Sequence, residues 1–77
     1  MKEYYEIIKE LREDNDIKQE DLCKKLNISQ QSLSKYENNK RRLPIDILKR
    51  YAEFFKVSTD YILGLTKDKN PNWKDKV

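Results

Sequence analysis

Two glutamines, two serines and a lysine crowd into the segment Gln30-Gln31-Ser32-Leu33-Ser34-Lys35, a few residues before the basic run Lys40-Arg41-Arg42. The chemistry these side chains suit is recognition by hydrogen bonds and charge. A glutamine amide presents a donor beside an acceptor, which matches the N6/N7 edge of adenine, and a good bidentate pair of that kind discriminates between bases by about 1–3 kcal/mol. Lysine and arginine suit phosphate oxygens. Bond-making chemistry has little to work with. The 77 residues contain no histidine and one cysteine, so the commonest general base and metal ligand is missing and no internal disulfide can form. With no glycine-rich phosphate loop and no paired acids around an obvious pocket, the sequence argues against an enzyme, a cofactor and a metal site.

The elements that must position these groups are read from apolar spacing. Tyr4, Ile7, Ile8 and Leu11 recur at helical intervals, and the polar stretch after Glu13 ends that helix, with Ile17 turned back toward the core. A second helix over about Gln19 to Leu26 carries Leu22, Cys23 and Leu26, and a third over about Gln30 to Glu37 carries Leu33 and Tyr36, with Ile28 between the two. Lys18 is a poor side-chain cap for the second helix, although Glu20 and Asp21 suit its dipole, whereas Ser29 is a good cap for the third. Asn27 and Asn39 follow the second and third helices, and asparagine is among the few non-glycine residues that visit left-handed backbone readily. Pro44 fits the first turn of a fourth helix whose buried stripe is Ile45, Leu48, Tyr51, Ala52 and Phe55, widened by Ile47 and Phe54. Ser58 can cap a short fifth helix that Gly64 ends. After Leu65 the periodicity stops, leaving residues 66–77 as a polar tail with Trp73 as its large apolar group.

The architecture expected is all-α, a five-helix bundle over residues 1–65 containing a helix-turn-helix. A chain this short forms one domain around one small core. No apolar run approaches the roughly 18 residues of a membrane span and the N-terminus lacks the apolar stretch of a secretory signal, so a cytoplasmic location is expected. Cys23 reads as a small buried hydrophobe on the inner face of the second helix. The formal net charge of +3 hides a segregation along the chain. Residues 1–21 hold 4 bases against 8 acids, net −4, while residues 22–56 hold 9 against 3, net +6. Positive potential thus gathers around the third helix, as a nucleic-acid footprint requires.

With QEDLCKKL, SQQSLSKYEN and VSTDYILGL in this order, the chain from about Tyr4 to Leu65 resembles the XRE-type regulators, the family of Cro and the phage repressors, which have the lambda repressor-like DNA-binding fold. The resemblance implies that the third helix enters the major groove of duplex DNA, with Gln30, Gln31, Ser32, Ser34 and Lys35 as candidate base readers. The first glutamine would read adenine, braced by Gln19 at the start of the second helix. Lys18, Asn38, Lys40, Arg41 and Arg42 stand where family members touch phosphates. Arg12 and Glu37 match a pair that ties the recognition helix to the scaffold in related repressors. Asn27 and Asn39 replace glycines, and Cys23 a small residue such as alanine.

A monomer of this size covers few base pairs, so a homodimer on a palindromic operator is expected, with repression by occluding RNA polymerase. Phe54, Val57, Tyr61, Ile62 and Leu65 are candidates for the dimer contact, and equally for closing the core. Ser32 and Ser34 remain open between bases, phosphates and plain exposure. Within the class, the chain could be a phage or mobile-element repressor, a restriction-modification controller or the DNA-binding part of a longer regulator. The alternative from another class is an antitoxin-like or other protein-interaction module, in which Trp73 and Tyr61 would anchor a protein partner.

Overall fold

The computed structural model describes residues 2–70, and Trp73 lies outside them. Five helices follow one another: α1 Tyr4–Asp14, α2 Gln19–Leu26, α3 Gln30–Glu37, α4 Ile45–Phe55 and α5 Thr59–Ile62. Among the described residues there is no strand. α3 packs against α1 and α2, α4 against α2 and α5, and α5 returns to α1. Ile8, Leu22, Leu26, Leu33, Tyr51 and Ile62, drawn from all five helices, form the fully buried centre. Ile17, Ile28, Leu43, Leu48 and Phe55 pack around it half-buried.

Each helix stops in the same way. A residue with left-handed backbone follows it, at Asp16, Asn27, Asn39, Lys56 and Gly64, with φ between 54° and 80°. The next amide then reaches back over the last turn, as from Ile17 N to Arg12 O (3.1 Å), Ile28 N to Cys23 O (2.9 Å), Lys40 N to Lys35 O (2.8 Å), Val57 N to Ala52 O (3.0 Å) and Leu65 N to Asp60 O (2.9 Å). These bonds satisfy carbonyls that a helix end leaves orphaned and turn the chain sharply enough for short helices to fold onto each other. The asparagine and glycine positions match the sequence reading. Asp16 and Lys56 escaped it, since neither residue type signals this conformation strongly. Gly64 is required twice over, because a Cβ there would also stand 2.8 Å from the Lys2 carbonyl oxygen.

Three expectations about the later helices are corrected. Ile45 is 78% exposed. It stands at the first residue of α4, about 90° around the helix from the centre of the buried stripe of Ile47, Leu48, Tyr51, Ala52 and Phe55. Phe54 is also partly exposed, its ring set edge-on to Phe55 at 5.0 Å. Pro44 stands just before α4 as its N-cap, with φ −66° and ψ 153°, rather than in the first turn. Residues 68 and 69 come back to α5: Ser58 N donates to Lys69 O at 3.0 Å and Ser58 Oγ to Asp68 O at 3.4 Å.

Candidate nucleic-acid interface

α2, the turn at Asn27 and α3 form the helix-turn-helix. Ser29 caps α3 by accepting from Ser32 N at 3.0 Å, while Lys18 before α2 supplies no side-chain cap. Leu33 and Tyr36 bury the inner side of α3, which turns Gln30 and Gln31 out to solvent at its start. Ser32, Ser34 and Lys35 are half-buried. Ser34 Oγ accepts from Asn38 Nδ2 at 3.2 Å. Ser32 Oγ accepts from Ser29 Oγ at 2.8 Å and from Arg41 Nη1 at 3.2 Å. Lys18, Asn38, Lys40, Arg41 and Arg42 are exposed at the two ends of the motif.

The inner end of α3 is held by charge. Arg12 on α1 donates from Nε to Glu37 Oε2 at 2.7 Å and from Nη2 to Glu37 Oε1 at 3.0 Å, and its Nη1 donates to Ile17 O at 2.9 Å. The Glu37 side chain is 1% exposed, so its carboxylate depends on these donors in place of water. The same pairing pushes the Arg12 guanidinium pKa up, the hydrogen bond to Glu37 being the largest cause. Gln19 is directed here as well: its Nε2 donates to Glu37 Oε1 at 3.1 Å. The amide expected to brace Gln30 gives one proton to the buried carboxylate, and its second N–H and its carbonyl oxygen are not used by that bond. Beside this network the Tyr51 hydroxyl is buried without a hydrogen-bond partner among the described residues, and burial drives its pKa well above the usual tyrosine value.

Arg50 of α4 holds the turn itself. Its Nη1 donates to Leu26 O at 3.1 Å and Asn27 O at 3.3 Å, with Asp46 3.8 Å away on the preceding turn of α4. The sequence reading assigned Arg50 no role, because nothing in the residues around it announces a contact with α2.

Of the residues considered for a dimer contact, Val57 and Ile62 are core residues, 4% and 0% exposed, and are unavailable to a partner. Phe54 and Leu65 reach the surface, and Tyr61 is half-buried with Lys69 Nζ 5.6 Å from its ring centre. Among the described residues no helix is long and apolar enough to cross a membrane.

The family model described as Helix-turn-helix matches residues 8–62, a span that runs from α1 through α5. The chain belongs to the XRE-type helix-turn-helix family. An HTH-type transcriptional regulator of Bacillus subtilis (strain 168), YobD, is 37% identical over 68 residues, covering 88% of this chain and 61% of its own length. The HTH-type transcriptional regulator ImmR of the same strain is 35% identical over 68 residues, covering 88% of this chain and 54% of its own. The chain therefore spans little more than half the length of these two regulators. A crystal structure of the P22 c2 repressor with a synthetic operator superposes with a TM-score of 0.78 over 86% of this chain and all of that one, at 23% identity. At that identity the likeness concerns the fold alone.

Proposed function

We propose that this chain binds duplex DNA sequence-specifically as a transcriptional regulator, acting in the cytoplasm as a repressor that occupies a palindromic operator as a homodimer. The observation that carries the reading is the pairing of two exposed glutamines at the start of α3 with a buried Arg12–Glu37 pair at its end. The first offers amide donors and acceptors to base edges, and the second fixes the helix that presents them. Lys18, Lys40, Arg41 and Arg42 flank the motif and supply positive charge for phosphates on either side. Membership of a family in which YobD and ImmR are named transcriptional regulators supports the same reading. The dimer rests on size, since one small domain reaches a single half-site.

Selection of binding sites from a random DNA library by the purified protein, at near-physiological salt, tests this proposal. Enrichment of a palindrome with half-sites about 10–10.5 base pairs apart is the expected result. Folded protein that enriches no motif refutes autonomous operator binding.

A further inference from the structure

The Ser29, Ser32 and Arg41 side chains form a chain of hydrogen bonds across the start of α3 that base reading by Ser32 does not explain. A hydroxyl has one proton to give and two lone pairs to accept with. Ser29 Oγ accepts from Ser32 N at 3.0 Å and gives its own proton to Ser32 Oγ at 2.8 Å. Ser32 Oγ also accepts from Arg41 Nη1 at 3.2 Å. Both lone pairs of Ser32 are then occupied, so it cannot accept from the amino group of adenine or cytosine and keeps one outward proton, which suits a phosphate oxygen as well as a base acceptor.

The position of Arg41 is one that a helix dipole does not favour for a cation. Its guanidinium is held at the N-terminal end of α3, the positive end of the helix dipole, and the first turn of α3 contains no acidic residue. Among the described residues Arg41 has no carboxylate within ion-pair distance. A cation tethered through Ser32 at a site already positive, with no other hydrogen bond among the described residues, is arranged for an anion.

We propose that Ser32 is a positioning residue and not a base reader: together with Ser29 it presets the Arg41 guanidinium for a phosphate of the DNA backbone beside the first turn of the recognition helix. The proposal rests on the DNA-binding reading above. It assigns Ser32 to affinity and register, leaving base discrimination to the exposed Gln30 and Gln31.

The test compares wild type, Ser32→Ala, Ser32→Thr, Arg41→Ala and the Ser32→Ala, Arg41→Ala double variant. Affinity for the selected site and for random duplex is measured by fluorescence anisotropy across a salt series, and site selection is repeated with each variant. One phosphate contact corresponds to a slope of about 0.9 in log K against log salt, so Arg41→Ala is expected to weaken binding by about fivefold per subunit at 0.15 M salt, fading toward 1 M. Ser32→Ala is expected to show part of the same loss on both DNAs with base preferences unchanged. The double variant is expected to bind no more weakly than Arg41→Ala alone, and Ser32→Thr, which keeps the hydroxyl, to bind like wild type. Loss of preference at one base position in Ser32→Ala, or additive losses in the double variant, overturns the proposal, as does a Ser32→Ala variant with wild-type affinity and salt slope. Wild-type protein that binds no DNA sinks the parent reading instead. NMR of the free protein then judges the tether alone: an Arg41 guanidinium ordered in wild type and released in Ser32→Ala supports it, and equal mobility in both overturns it.

Discussion

Replacing Arg12 by methionine removes the guanidinium while keeping most of the apolar stem. Glu37, 1% exposed, is then left with Gln19 as its donor, because both bonds from Arg12, at 2.7 and 3.0 Å, are gone. Removing one member of a buried pair costs about 3–5 kcal/mol, since the survivor keeps its desolvation penalty without its partner. A chain of this length has a total stability of about 4–12 kcal/mol, so the expected loss is about a quarter of it or more. Urea titrations followed by circular dichroism, run with sucrose to extend the native baseline, measure the loss. Gln19→Ala, which removes the third donor at 3.1 Å, is expected to cost about 1 kcal/mol and provides a graded comparison. The double variant Arg12→Met, Glu37→Leu has no orphaned charge and is expected to recover at least about 2 kcal/mol over Arg12→Met alone. Two results refute this reasoning: an Arg12→Met variant within about 1 kcal/mol of wild type, or a double variant no more stable than the single.

Other outcomes follow from particular side chains. Gln30→Ala is expected to relax discrimination at one operator position by about 1–3 kcal/mol while leaving binding to random duplex unchanged, as read by repeated site selection and anisotropy. Lys56→Gly is expected to raise the urea midpoint by about 0.5–1 kcal/mol equivalent, because φ at this residue is 56° and only glycine adopts it without steric cost. For Tyr51, burial raises the folded pKa above the usual value of about 10, so its contribution is complete below pH 10 and is lost as pH climbs toward the folded value. Tyr51→Phe, which removes an unpartnered buried hydroxyl, is expected to be near neutral in stability at pH 7 and to flatten the alkaline loss in pH-dependent melting. Arg50→Ala is expected to cost about 1–2 kcal/mol by releasing the carbonyls of Leu26 and Asn27, measured in the same urea titrations.

The sequence made the helices legible wherever apolar spacing and end signals coincide. Ser29 before α3, the asparagines at 27 and 39 and Gly64 each carry a local physical reason for their place, and all take the conformations expected of them. Ile45 was misread because apolar spacing does not fix how wide the buried stripe is, and Ile45 falls at its edge. Lys56 adopts left-handed backbone with no residue-type signal for it, and Asp16, a residue type that tolerates this conformation, lies in a polar stretch that did not single it out. At the candidate interface, the exposure of Gln30 and Gln31 follows directly from Leu33 and Tyr36 occupying the other side of α3.

Contacts that join distant segments were harder to read, and long polar side chains make most of them. Arg50 reaches across 23 and 24 residues to the turn, and Gln19 reaches across 18 to Glu37. Glu37 explains why such bonds decide the geometry of the interface. It closes α3 from below, and its carboxylate gathers donors from α1 and α2 because burial makes every lone pair without a donor expensive. Three helices are thereby referred to one buried atom group, and the orientation of the glutamines at the opposite end of α3 depends on it. Gln19 gives Glu37 one amide proton and keeps a second proton and a carbonyl oxygen, so it can hold the carboxylate and still present polar atoms on the side of α3. Stability of the scaffold and precision of the reading surface therefore meet in the Arg12–Glu37–Gln19 cluster.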